Sequence, residues 1–169
     1  MKSKRRDFIK AVTAAGVATL VLGDGVDVLA AGKSVVIDCT DGTIFRGGWS
    51  TDKKPRVEIS AIVGLRKTSP MSGGKISDWA GFEAAIRAVY AKLGASPTLY
   101  PLLLIDPPVA TSINRAKLTD LAFKKLRVPK FHVANGAATA LRAAKRTTGV
   151  VCLVTEDQTY VVPIKKGKP

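Results

Sequence analysis

Apolar positions recur along this chain with two periods, and the changes of period mark its elements. "KSVVIDCTDGTIFRGGWS" begins with a β-branched run, reaches an acid and a glycine, and resumes apolar character, which predicts a strand, a tight turn and a second strand. "RVEISAIVG" alternates at Val57, Ile59 and Ala61 and becomes wholly apolar at Ile62 and Val63, predicting a third strand. The stretch "LRKTSPMSGGK", rich in Gly, Ser and Pro, reads as a polar connection. The period then changes: Trp79, Phe82, Ile86, Val89, Tyr90 and Leu93 share one helical face, with a start at Ser77 or Asp78 and a stop at Gly94. "LYPLLLIDPP" is a short apolar run closed by two prolines, the pattern of a buried central strand. A second helix is predicted from Ser112 to Leu126, with Leu118, Leu121, Ala122 and Leu126 inward, Arg115, Lys117 and Lys124 outward, and Pro129 ending it. "KFHVA" predicts a fifth strand and the alanine-rich "NGAATALRAAK" a third helix. "GVVCLV" and "TYVVPI" predict two more strands joined through Thr155-Glu156-Asp157-Gln158.

Three meandering strands followed by helix, strand, helix, strand, helix and two strands is an α/β order, with helices packed on a mixed sheet as in ribonuclease H-like folds. Residues before Lys33 follow another logic. "KSKRRDFIK" ends its basic run in the pair Arg5 and Arg6, and an apolar run from Ala11 to Leu22 follows. That run is about twelve residues, short of the roughly 20 that span a bilayer. Val28-Leu29-Ala30 fits a small-x-small cleavage site, with Leu29-Ala30-Ala31 one step later. Residues 1–30 therefore read as a twin-arginine signal peptide, with cleavage at Ala30 or Ala31, and residues 31–169 as a single domain. The translocation machinery is then an expected partner, and the periplasm or extracellular space the expected location.

Charge narrows the partners. Removing residues 1–30 lowers the formal net charge from +14 to +12, an excess that draws anionic polymers. The bases are scattered, however, with only short runs such as Lys53-Lys54, Lys124-Lys125 and Lys165-Lys166, and no aromatics are interleaved to stack on bases. Cys39 and Cys152 have no metal-ligand spacing around them; in an oxidising compartment they either pair over a long loop or lie buried in neighbouring strands. His132 is the single histidine, so no catalytic triad is evident. No metal site and no cofactor are expected.

"RVEISAIVG", "ISDWAGFE", "YPLLLIDPPVATSINRAKLTDLAF" and "RTTGVVCLVTEDQTYVVPIKKG" resemble, in order, stretches characteristic of actin. In the third, Leu103-Leu104-Ile105-Asp106-Pro107-Pro108 is followed at actin's spacing by Asn114-Arg115, Lys117, Leu118-Thr119 and Phe123. The resemblance runs from about Val35 to Pro169 and covers less than half of an actin. It implies a domain lacking actin's second subdomain, whose place is taken by about "TSPMSGGK", and lacking most of the second half, including the adenosine-binding segment.

The resemblance also locates a vestigial phosphate site. In "DCTDG", Asp38 and Gly42 match actin's first phosphate loop, but Asp41 stands where that loop has a serine hydroxyl, and a carboxylate there repels phosphate. In the second loop Leu153 replaces the acid that holds metal-bound water, and Glu156 and Asp157 fall where the loop continues without its glycines. The glutamine that orients attacking water falls at Gly136. Phosphoryl transfer rests on electrostatic stabilisation and water positioning, so the implied protein is not an enzyme. The expected function is an exported, non-catalytic, actin-like structural protein that self-assembles as a dimer or filament. Its C-terminal hairpin would supply the contact through Val150, Val151, Leu153, Val154, Tyr160, Val161, Val162 and Ile164. An ATP-binding cytoskeletal protein or ATPase is the alternative, and a basic adhesin for anionic polymer a further one.

Overall fold

The computed structural model describes residues 32–62, 68–109, 112–155 and 158–169. Arg5, Arg6, Ala30 and Ala31 of the expected signal peptide, and the loop residues Glu156 and Asp157, lie outside the described residues. A five-stranded sheet is built from β1 (Val35–Asp38), β2 (Ile44–Trp49), β3 (Val57–Ser60), β6 (Leu102–Asp106) and β7 (Phe131–Asn135), in the spatial order β3-β2-β1-β6-β7. β1, β2 and β3 pair antiparallel as a meander, whereas β6 joins β1, and β7 joins β6, in parallel. The sheet is thus mixed, as its pattern predicts. Uniform burial of "VVID" and "LLLID" follows from central placement, since both faces of those strands are covered. β3 is the edge strand of that order, and the alternating burial of "VEIS" shows that only one of its faces is covered.

Helix α1 (Trp79–Lys92) begins where Asp78 accepts hydrogen bonds from the backbone N–H groups of Ala80 and Gly81, both at 3.0 Å. It ends at Gly94, whose φ of 64° suits glycine and lets Ala95 N–H reach the Tyr90 carbonyl at 2.9 Å. Its buried face sets Phe82, Ile86 and Val89 with Ile37, Leu102 and Leu104 in the main core, and Phe45 meets Phe82 edge-on at 5.2 Å. Gly47 permits this approach, because a side chain there would run into Val89.

The second helix departs from regularity. α2 (Ser112–Asp120) continues as a π-helical segment, Leu121–Leu126, which closes at Arg127 in the left-handed region (φ 57°). In an unbroken α-helix Leu121 and Leu126 would point about 140° apart. The wider turn lets both enter the core, where Leu118, Leu121, Ala122 and Leu126 are all buried. The stop thus comes before Pro129, and is made by the chain reversing at Arg127.

One connection contains more structure than its composition suggests. Within "TSPMSGGK", β4 (Met71–Ser72) and β5 (Lys75–Ile76) form a hairpin across Gly73 and Gly74, both with positive φ (57° and 73°). Helix α3 (Gly136–Ala143), capped by Asn135, leads to a separate ribbon of β8 (Gly149–Val154) paired antiparallel with β9 (Thr159–Ile164). No helix among the described residues is long and apolar enough to cross a membrane.

Candidate functional site

The first loop leaves β1 at Asp38, which accepts the Thr40 N–H at 2.9 Å, and closes as a turn through the Gly42 N–H to the Cys39 carbonyl at 3.0 Å. Gly42 takes a φ of 83°, a conformation natural to glycine. Cys39 is buried and anchors the loop to β6 through its N–H and its thiol, which donate to the Ile105 carbonyl at 3.1 and 3.2 Å. Burial pushes the Asp38 carboxyl above the usual range, and the neighbouring Thr40 and Arg46 oppose that shift. Burial, then the charges of Asp106 and Asp38, push the Cys39 thiol up as well.

Asp41 is buried and already engaged. Thr43 Oγ1 donates to it at 2.7 Å, and Arg46 Nη1 lies 3.7 Å away while its Nε donates to Glu58 at 2.9 Å. The carboxylate is thus matched by internal partners, chiefly Thr43 and Arg46. Arg46 has no special signal in the sequence; only the β2 register, which sets it opposite Asp38 and Glu58, places it here.

Gly136, where the resemblance leads one to expect a glutamine, is closely packed by other groups. A Cβ on Gly136 would lie 2.9 Å from Thr40 Oγ1 and 3.0 Å from the Asp106 carbonyl. A larger side chain cannot enter without moving Thr40 or the β6 backbone. Thr40 Oγ1 itself is enclosed with no hydrogen-bond partner among the described residues.

The small β4–β5 hairpin bridges the two loops. Ser69 Oγ donates to the Gly42 carbonyl at 2.8 Å, and a side chain on Gly42 would meet Met71 Cβ at 3.5 Å. Across the turn, Gly74 is tight against Tyr160 Oη and Val109, and Gly73 faces Gln158. Beneath this hairpin, a cavity of about 10 Å³ touches Cys39, Gly74, Asp106 and Asn114. That is room for about one water molecule.

Asp106, at the end of β6, is 2% exposed, and neither carboxylate oxygen has a hydrogen-bond partner among the described residues. Arg115 Nε is 3.7 Å away, an ion-pair distance too long for a hydrogen bond. Burial pushes the Asp106 carboxyl up to about 6, with Arg115 pulling the other way. His132 lies on β7 beside Leu103, and burial, then Arg115, lower its basicity.

Leu153 is buried in a second apolar cluster with Ala137, Ala138, Leu141, Tyr160 and Ile164. Alternation along the ribbon therefore divides the eight residues expected to form one self-association surface. Leu153, Tyr160 and Ile164, with the partly buried Val151 and Val162, face α3; Val150, Val154 and Val161 face outward, 67%, 51% and 67% exposed. The expectation that all eight are available is corrected by the pleat, which sends alternate side chains to opposite faces. Cys152 lies on the outer face, paired with Val161, while Cys39 is buried just after β1; both thiols are free, and they occupy neither neighbouring strands nor a disulfide.

Among the described residues no group of three or more His, Cys, Asp or Glu side chains is arranged to hold a metal ion. The site consists of two acidic loop residues held by internal partners, a closely packed Gly136 and a buried Leu153 at the start of the second loop. The actin family model matches residues 64–169, which lie after β3 and include the C-terminal hairpin. That match, over more than half of the chain and on a mixed sheet with flanking helices, shows that the chain belongs to the actin family.

Proposed function

We propose that this chain is an exported, non-catalytic member of the actin family that self-assembles through the outer face of its C-terminal ribbon. The observation that carries the reading is the apolar face of Val150, Cys152, Val154 and Val161, exposed on a two-stranded ribbon whose other face is already packed on α3. A second copy placed on that face, or paired along the free edges of β8 and β9, removes apolar surface from water and satisfies unpaired backbone groups. The filled Gly136 position, the engaged Asp41 and the apolar setting of Leu153 support the absence of catalysis and oppose the ATPase alternative.

Sedimentation of the chain lacking residues 1–30 tests the assembly. The species should grow with concentration, and more readily as salt rises, because salt screens the mutual repulsion of strongly basic copies. Val161→Lys should weaken association about tenfold or more, since an unpaired ammonium in an apolar contact costs more than about 1.4 kcal/mol. Val162→Lys is the poorer probe, as that side chain packs toward α3. A wild-type protein that stays monomeric at high concentration and moderate salt would exclude the proposal.

Export through the twin-arginine route is supported by the Arg5-Arg6 pair and the short apolar run behind it. Conversion of both arginines to lysine should leave precursor in the cytoplasm. Normal delivery of that double variant would remove the route from the proposal.

A further inference from the structure

The C-terminal turn and the end of α3 together form a basic surface. Lys165 and Lys168 close a tight turn through backbone hydrogen bonds of 2.8 and 3.1 Å, with Lys166 and Gly167 at its tip at φ 52° and 79°. The turn is fastened to the segment after α3: Gly167 N–H donates to the Thr147 carbonyl at 2.6 Å and Lys166 N–H to Thr148 Oγ1 at 3.1 Å. Arg142 from α3 lies against Gly167, where an added Cβ would be 3.0 Å from Nη2. Lys145 and Arg146 complete the end of the helix, their N–H groups donating to the Arg142 and Leu141 carbonyls. Six cations, Arg142, Lys145, Arg146, Lys165, Lys166 and Lys168, are thereby held around one seam.

Their charge is not balanced locally. Arg46, Arg56, Arg87, Arg115, Lys124 and Lys125 all pair with carboxylates, but none of the six does so among the described residues. Arg142 Nη1 is enclosed without a hydrogen-bond partner there. Lys145 and Lys166 also occupy the left-handed region, at φ 58° and 52°, where glycine would hold the same turn at lower backbone cost. Two lysines kept where glycine is the easier residue, and six like charges kept without counter-charge, are unfavourable for folding alone. A bound polyanion offsets the second of these effects by supplying the missing counter-charge.

We infer that this seam binds a linear phosphate polymer through its charge. It has no aromatic ring to stack on bases, and its donors are ammonium and guanidinium groups suited to phosphate oxygens. The surface is distinct from the outer ribbon face that the proposed assembly uses, and its salt response is opposite. Counterion release makes phosphate binding fall with salt, while screening strengthens self-association.

Titration with long-chain inorganic polyphosphate, at several salt concentrations, tests the inference in the chain lacking residues 1–30. With about six contacts, affinity should fall about 10³-fold between 50 and 200 mM salt. The double variant Lys145→Gly, Lys166→Gly removes two charges while easing the backbone at both positions, so thermal unfolding should show it at least as stable as the wild type. Its affinity should fall only about 10²-fold over the same range, as expected for about four contacts. Lys92→Ser with Lys124→Ser, on α1 and the π-helical segment, should leave the wild-type salt dependence in place. Three results would overturn the inference: no binding at low salt, an unchanged salt dependence in the glycine variant, or equal binding of polyglutamate, which would reduce the seam to general charge attraction.

Discussion

Leu153→Asp, which places an acid where an actin second phosphate loop has one, is expected to destabilise the protein by about 4 kcal/mol and to leave it without Mg-ATP binding. The position is closed from the inside. Leu153 packs with Ala137, Ala138 and Leu141 of α3 and with Tyr160 and Ile164 of β9. Truncating a buried leucine alone costs about 2–5 kcal/mol. An aspartate adds the cost of a carboxylate among alkyl groups, which the protein can only reduce by keeping it protonated or by opening the ribbon. Leucine at this position is therefore coupled to packing: the ribbon uses it to hold α3. Denaturant unfolding of the variant measures the first effect, and titration calorimetry with Mg-ATP on both proteins the second. A variant as stable as the wild type, or a micromolar dissociation constant for either protein, would contradict the assignment of this loop as structural.

The same neighbourhood shows which features the sequence exposes and which it hides. Strands β1 and β6 are legible because "VVID" and "LLLID" are apolar throughout, and central burial requires that. α1 is legible because its apolar period, its Asp78 cap and its Gly94 stop all agree. The two-residue strands β4 and β5 are too short to show a period, and only the Gly73-Gly74 pair marks their turn. In "GVVCLV" every position is apolar, so the sequence does not tell which side chains meet α3; the register, opposing Leu153 to Tyr160 and Cys152 to Val161, decides it. The fit of Thr40 into the space beside Gly136 joins residues nearly a hundred positions apart and leaves no local pattern. For the candidate site, residue types mark the loop positions, while the packing around Gly136 and Leu153 becomes visible only in three dimensions.

Asp106 yields the other large effect, and its sign runs against ordinary acid denaturation. Asp106, at the end of β6 and ahead of two prolines, is 2% exposed, with Arg115 at 3.7 Å as its one cation among the described residues. Burial raises its folded pKa to about 6, above the roughly 3.9 of an unfolded chain. Below about pH 4 the group is protonated in both states and imposes no penalty. Between about pH 4 and 6 the unfolded chain releases the proton while the folded protein retains it, so this group's contribution to stability falls as pH rises and levels off above about pH 6. At about 1.4 kcal/mol per unit, a shift of about two units amounts to about 3 kcal/mol. Asp38, also raised by burial, acts in the same direction. General repulsion among the many bases opposes both at low pH, so the wild-type curve alone does not isolate Asp106. Comparison with Asp106→Asn does, because the variant keeps the shape and every other charge. The two proteins should differ little near pH 4, and the variant should be more stable by about 3 kcal/mol at pH 7.5, measured by urea unfolding across that range. Parallel curves would show that Asp106 ionises in the folded protein as easily as in the unfolded chain, which would require solvent or a cation closer than Arg115 at its carboxylate.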